Sequence, residues 1–167
     1  MTAEAQELRA LQAPLKERYR SDPEAAVVTL RARATLGDGV SCSVETGRAI
    51  AIAGLHPATG GDGSLLCSGD MLLEALAACA GVTLRAVATA LEIELEGAVH
   101  AEGDLDFRGT LGVDRDAPVG FRAIRVRFDL DTGADPEMVA KLIELTERYC
   151  VVFQTLAGSP QLTMEVT

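Results

Sequence analysis

The chain has 167 residues, 48% of them hydrophobic and 24% charged, which is the length of one domain with enough apolar material for one core. Fifteen Lys and Arg stand against 25 Asp and Glu, for a formal charge of -10 without any basic cluster, so nucleic acid is excluded as an expected partner by net repulsion. Cys42, Cys67, Cys79 and Cys150 lie at wide, unequal spacings in a chain too long to need disulfide staples; they are expected to be free thiols, and any pair among them to be catalytic rather than structural.

The N-terminal stretch carries acids from Glu4 onward and no compact apolar run, so no secretory signal is expected and the cytoplasm is the expected compartment. Leu8, Leu11, Leu15 and Tyr19 recur at helical spacing, which predicts an amphipathic helix divided by Pro14. This helical extension, residues 1–24, precedes a domain spanning 25–167. Alternating apolar and polar residues over 25–36 and 39–55, separated by Gly37-Asp38-Gly39, predict a hairpin with an Asp-Gly turn. His56 to Gly63 contains Pro57, Gly60, Gly61 and Gly63 and is expected to be a loop.

Ser68-Gly69-Asp70 offers capping side chains, and Met71 to Leu91 is almost wholly apolar or small, which predicts a long, mostly buried helix. Its Glu74 and Arg85 are expected to form an ion pair, and they argue for a core helix rather than a membrane span. Period-two alternation predicts strands over 98–107 and 121–130. Asp135-Pro136-Glu137 then opens a second long helix, which has a stripe of Met138, Leu142, Leu145, Tyr149, Val152 and Leu156 and carries Cys150. Gln161 to Thr167 alternates as a last short strand. The order is that of an α+β fold with two helices burying large faces on antiparallel sheet. The central helix is apolar almost all round, which predicts a homodimer with an apolar interface.

Cys79 shares a stripe with Leu72, Leu76 and Thr83, and Cys150 edges the apolar stripe of the second helix. Each reads either as a small buried hydrophobe or as a thiol of a shared site. Cys67 precedes a helix start, where the positive end of the dipole would make it reactive; Cys42 reads as strand packing. Neither histidine has a partner at ligand spacing, and there is no CxxC, HExxH or GxSxG, so no metal, no cofactor and no serine hydrolase is expected.

The segments SGDMLLEALAACAGVTLRAVA and ERYCVVFQTL resemble the two cysteine-bearing helices of the OsmC family of organic-hydroperoxide-resistance (Ohr) and osmotically inducible proteins. The loop GLHPATGGDGSLLCSGDM and the opening PLKERYRSDPEAA resemble a subgroup with an added N-terminal helix. The resemblance implies antiparallel sheets wrapped around two long central helices, and an intertwined homodimer with shared sites. It also implies a thiol peroxidase of oxidative-stress defence. Cys79 would attack an organic hydroperoxide and become a sulfenic acid, and Cys150 would resolve it as a disulfide. A dithiol, such as dihydrolipoamide or a lipoylated protein, would then reduce the bridge. Peroxidase members of the family supply an activating arginine from the first hairpin turn, where this chain has Gly37-Asp38-Gly39. Arg33, Arg48 and Arg85 are the candidate substitutes. Asp70 is the nearest counterpart of a family glutamate. The alternative expectation is a binding module without peroxidase activity, holding a small apolar or thiol ligand.

Overall fold

A computed structural model describes residues 3–36, 42–44 and 53–166, with side chains over 10–29, 35 and 53–166. Helix α1 (Ala3–Ser21) runs through Pro14 without interruption. It is anchored where the Tyr19 hydroxyl donates to the Ala58 carbonyl at 2.7 Å and Gln12 Nε2 to the Thr59 carbonyl at 3.1 Å. A 3-10 turn over Pro23–Ala26 leads into β1 (Val27–Leu36). This strand pairs antiparallel with β2 (Cys42–Val44) through Leu36–Cys42 and Ala34–Val44. The predicted hairpin is formed, and its Gly37-Asp38-Gly39 turn lies outside the described residues.

After the loop comes α2 (Ser68–Ala90), followed by β3 (Glu96–Asp106), a short α3 (Phe107–Thr110) and β4 (Phe121–Asp131). The sheet order is β2-β1-β3-β4. The side-chain contacts His100–Asp129 and Asp104–Arg125 run in opposite sequence directions on β3 and β4, as in an antiparallel pair. Gly97, at φ +144, lets these strands close up: a Cβ there would lie 2.0 Å from the Asp129 carbonyl oxygen. Asp104 ties three strands together, accepting from Arg125 at 2.6 Å and from the Thr29 hydroxyl at 2.7 Å. These bonds, the Arg125 fork foremost, hold its carboxyl well below the usual carboxylate range.

Two compact units make up the chain. The first, drawn from Met1–Ala32, Glu45–Glu74 and Ala101–Val126, has a core of Tyr19, Ala26, Leu73, Leu105, Phe107 and Leu111. His56 stacks on Phe107 with ring centroids 5.0 Å apart, while its Nδ1 accepts the Ala58 N–H. Buried Asp106 holds Arg108 in a two-nitrogen fork, with Nη2 at 2.6 Å. The second unit, from Arg33–Val44, Ala75–His100 and Arg127–Thr167, packs Leu76, Ala77, Leu84, Leu95, Val99, Leu142 and Cys150.

By length and composition α2 could cross a membrane. Its buried residues Leu73, Leu76, Ala77, Ala80, Leu84 and Ala88 instead recur at helical spacing, as in the core helix of a globular protein. Glu74 and Arg85 are eleven residues apart on this continuous helix, about 16 Å along its axis, which is too far for the predicted ion pair. The Arg85 guanidinium donates to the Leu95 carbonyl at 2.7 Å.

Two further expectations are corrected. The second long helix is broken: α4 (Pro136–Tyr149) stops, Cys150 takes an extended conformation (φ -71, ψ 105), and α5 (Val151–Gly158) restarts. The predicted last strand is not formed among the described residues. Ser159 turns left-handed, and Leu162, Met164 and Val166 stand 85–103% exposed, because an alternating segment becomes a strand only against a partner edge.

Candidate active site: a paired thiol at a helix break

Cys79 lies midway along α2, half-buried, and Cys150 lies between α4 and α5, 1% exposed; neither is bridged. The structure brings the two side chains into hydrogen-bond contact. Both belong to the second unit, as do the other groups around them.

How the chain arrives at Cys150 explains the contact. Asp135 caps α4, accepting from the Met138 N–H at 2.8 Å with Pro136 at the first helical position, as its sequence predicts. The helix ends with the Cys150 N–H donating to the Thr146 carbonyl at 2.9 Å. The extended ψ of Cys150 then turns the chain, and its carbonyl accepts from the Gln154 N–H, opening α5. Between these two bonds lie the N–H groups of Val151, Val152 and Phe153, the donors that the start of any helix leaves without a carbonyl.

Those donors face sulfur. Burial pushes the Cys79 thiol up, but four hydrogen bonds together outweigh it and bring the thiol below its ordinary value. They come from the Val152 N–H, the Cys150 thiol, the Thr83 hydroxyl and the Val151 N–H. Cys150 is opposite in sign. Burial foremost, then the hydrogen bond and charge of Cys79, push it up to about 11, against a partial offset from the backbone of Phe153 and Val152. Of the pair, Cys79 is therefore the thiol that ionises first and Cys150 the one that keeps its proton, with Cys150 as the donor between them.

Beside Thr83 an apolar cleft of about 450 Å³ runs between α2 and α4, lined by Val82, Ala86, Val87, Leu91, Leu145 and Tyr149 among others. Of the candidate supporting residues, Asp70 sits nine residues before Cys79 on the same helix, about 13 Å along its axis. Burial raises its carboxyl, and neighbouring His56 opposes that. Arg85 is engaged on Leu95. The side chains of Arg33 and Arg48 lie outside the described residues, as does that of Cys42. Cys67 is half-buried just before α2, its carbonyl accepting from the Met71 N–H.

Sequence reasoning missed the amides of Val151 and Val152, and it read Thr83 only as part of a stripe. One signal was available: Val151-Val152-Phe153 places β-branched and aromatic residues in succession, where a helix is weakest.

A family model described as OsmC-like protein matches residues 61–165, a span that holds both thiols and the helix break at Cys150. The chain belongs to the OsmC-like protein family. No curated protein matches it in sequence. Among solved structures it is similar to an OsmC-like hydroperoxide resistance protein from Jannaschia sp. CCS1. The two are 17% identical, with a TM-score of 0.58, over 85% of this chain and 94% of that one. At that identity the likeness establishes the α+β OsmC-like fold.

Proposed function

We propose that this OsmC-like protein is a thiol-dependent peroxidase that reduces organic hydroperoxides to alcohols in oxidative-stress defence. The observation that carries the reading is the meeting of two free thiols, half-buried Cys79 on α2 and buried Cys150 at the break, in unequal settings that hold one down and push the other up to about 11. Such a split provides a nucleophile and a partner that stays protonated until needed.

The Cys79 thiolate attacks the distal oxygen of the hydroperoxide. A sulfur–oxygen bond forms, the oxygen–oxygen bond breaks, and the alkoxide takes up a proton and leaves as the alcohol. Cys79 is then a sulfenic acid. The Cys150 sulfur attacks it, the sulfur–sulfur bond forms, the sulfur–oxygen bond breaks, and hydroxide leaves with the Cys150 proton as water. A dithiol reductant, dihydrolipoamide or a lipoylated protein, returns both thiols by two exchanges and is itself oxidised to a disulfide. The cleft beside Thr83 supplies apolar wall for a fatty or aryl substituent.

The working form is a homodimer in the cytoplasm. Supporting the dimer, Val82, Tyr149, Val151, Leu162, Met164 and Val166 are exposed apolar residues of a single unit. A second reading, a binding module without peroxidase activity, draws on the same cleft and requires that a Cys79→Ser variant still bind an apolar ligand.

Stopped-flow mixing of the reduced protein with cumene hydroperoxide, and separately with hydrogen peroxide, tests the peroxidase. Fast organic-selective oxidation that ends in a Cys79–Cys150 disulfide by mass spectrometry is the expected result. Rates no greater than those of a free thiol would overturn it in favour of the binding module.

A further inference from the structure

We infer that the backbone N–H groups of Val151 and Val152, presented by the break between α4 and α5, are catalytic groups that hold the Cys79 sulfur as its thiolate. The inference rests on the thiol-peroxidase reading of the site and identifies what activates the nucleophile there.

In an unbroken helix the Val151 N–H would bond the Glu147 carbonyl four residues back. That carbonyl instead accepts from the Gln154 side chain, whose Nε2 lies 2.9 Å away. The helical ladder skips from the bond into Thr146 to the bond into Cys150, so three consecutive amides are released from it. Two of the three, those of Val151 and Val152, donate to the sulfur of Cys79, which projects from α2. Among the described residues the groups that lower this thiol are all uncharged: the two amides, the Cys150 thiol and the Thr83 hydroxyl. Fixed N–H dipoles aimed at a sulfur in a half-buried setting stabilise its negative charge without any reorganisation, as donors at an oxyanion do. Val151 is 71% exposed on its own chain, so within that chain its side chain packs little and its contribution to the site comes through its backbone.

The break itself provides the test, because proline deletes one N–H. Val151 is the first residue of α5, where proline is favoured, and Cys150 before it already has the extended backbone that proline demands. Val151→Pro therefore removes a single donor at minimal structural cost. Val152→Pro removes the other, still within the first turn. Each is compared with alanine at the same position, after circular dichroism has shown native helix content. The readout is the pH dependence of Cys79 alkylation by iodoacetamide, followed by mass spectrometry, which requires no peroxide.

Relative to alanine, Val152→Pro is expected to raise the Cys79 pKa by about one and Val151→Pro by about half as much, so that the thiolate fraction below the pKa drops about tenfold and threefold. Unchanged alkylation profiles in folded Val151→Pro and Val152→Pro proteins would overturn the inference; should Val152→Pro fail to fold, Val151→Pro alone decides it. A shifted profile in a protein whose parent shows no peroxide reaction would retain the amide donors and discard the peroxidase, so the two failures are distinguishable.

Discussion

Replacing Thr83 by valine isolates one neutral donor to the reactive sulfur. Valine matches threonine in shape and branching and lines the same apolar cleft, so the change removes a hydroxyl and little else. The hydroxyl bonds the charged form of Cys79, and its loss must raise the thiol pKa. A hydrogen bond to a charged group contributes about 1.5–3 kcal/mol, and this site is only half-buried, so the lower end applies: about one pKa, from 1.36 kcal/mol each. Reactivity does not drop by the full tenfold, because a more basic thiolate is intrinsically more nucleophilic, with a Brønsted coefficient of about 0.4–0.5. Below both pKa values Thr83→Val should therefore react with iodoacetamide about three- to fourfold more slowly than the parent. Above both it should react about threefold faster. Crossing pH–rate profiles are the signature, measured as Cys79 alkylation from pH 5 to 10. Parallel profiles displaced at every pH would mean that the substitution acts through access to the sulfur, and superimposed profiles would mean that the hydroxyl does not donate to it; either result refutes the reasoning.

Cys150→Ser should stop the cycle after one turnover, leaving a Cys79 sulfenic acid that dimedone traps, with the mass of the adduct as the measurement. Asp106→Asn should cost about 3 kcal/mol of stability at pH 7, since it weakens the fork between a 1% exposed carboxylate and Arg108. The Arg108 hydrogen bond depresses the Asp106 pKa, so its contribution is present above the unfolded carboxylate value near 3.9 and is lost as pH falls through the folded value. Urea unfolding of parent and variant should therefore converge in acid. Removing residues 161–167 should shift a homodimer toward monomer in light scattering, because Leu162, Met164 and Val166 are placed outside any cover their own chain provides among the described residues.

The elements whose patterns were unbroken were legible in the sequence. The apolar run after Ser68 gave α2, alternation gave β3 and β4, and Asp135-Pro136 gave the start of α4. The break at Cys150 was hidden because apolar periodicity passes straight through it: Leu145, Tyr149, Val152 and Leu156 keep helical spacing whether or not the backbone turns between them. Periodicity reports which side chains share a face, and it is silent on a single ψ angle. The terminal segment failed for the complementary reason. Leu162, Met164 and Val166 alternate as a strand must, but pairing is a property of two edges and only one is written in the segment. At the site, both cysteines were identified from family resemblance, while spacing alone left each readable as core filler. Their contact depends on how α2 packs beside the break, a long-range relation that neither local pattern encodes.

In the proposed peroxidase cycle the same break would give the two chemical steps their order. While Cys79 is a thiolate, its charge and its hydrogen bond are two of the three causes that keep the Cys150 proton in place, burial being the first. In the proposed cycle, attack on the hydroperoxide would convert Cys79 into a neutral sulfenic acid, and the charge that held the Cys150 proton would be gone. Burial still raises Cys150, but the backbone of Phe153 and Val152, which already lowers its pKa, now acts without that opposition. Cys150 would thus become more acidic only after Cys79 has reacted. In the proposed cycle Cys150, as the resolving thiol, would therefore be released by the step that it must follow, and premature ionisation of both sulfurs, which would place two negative charges in contact, is opposed by the electrostatics of the pair itself.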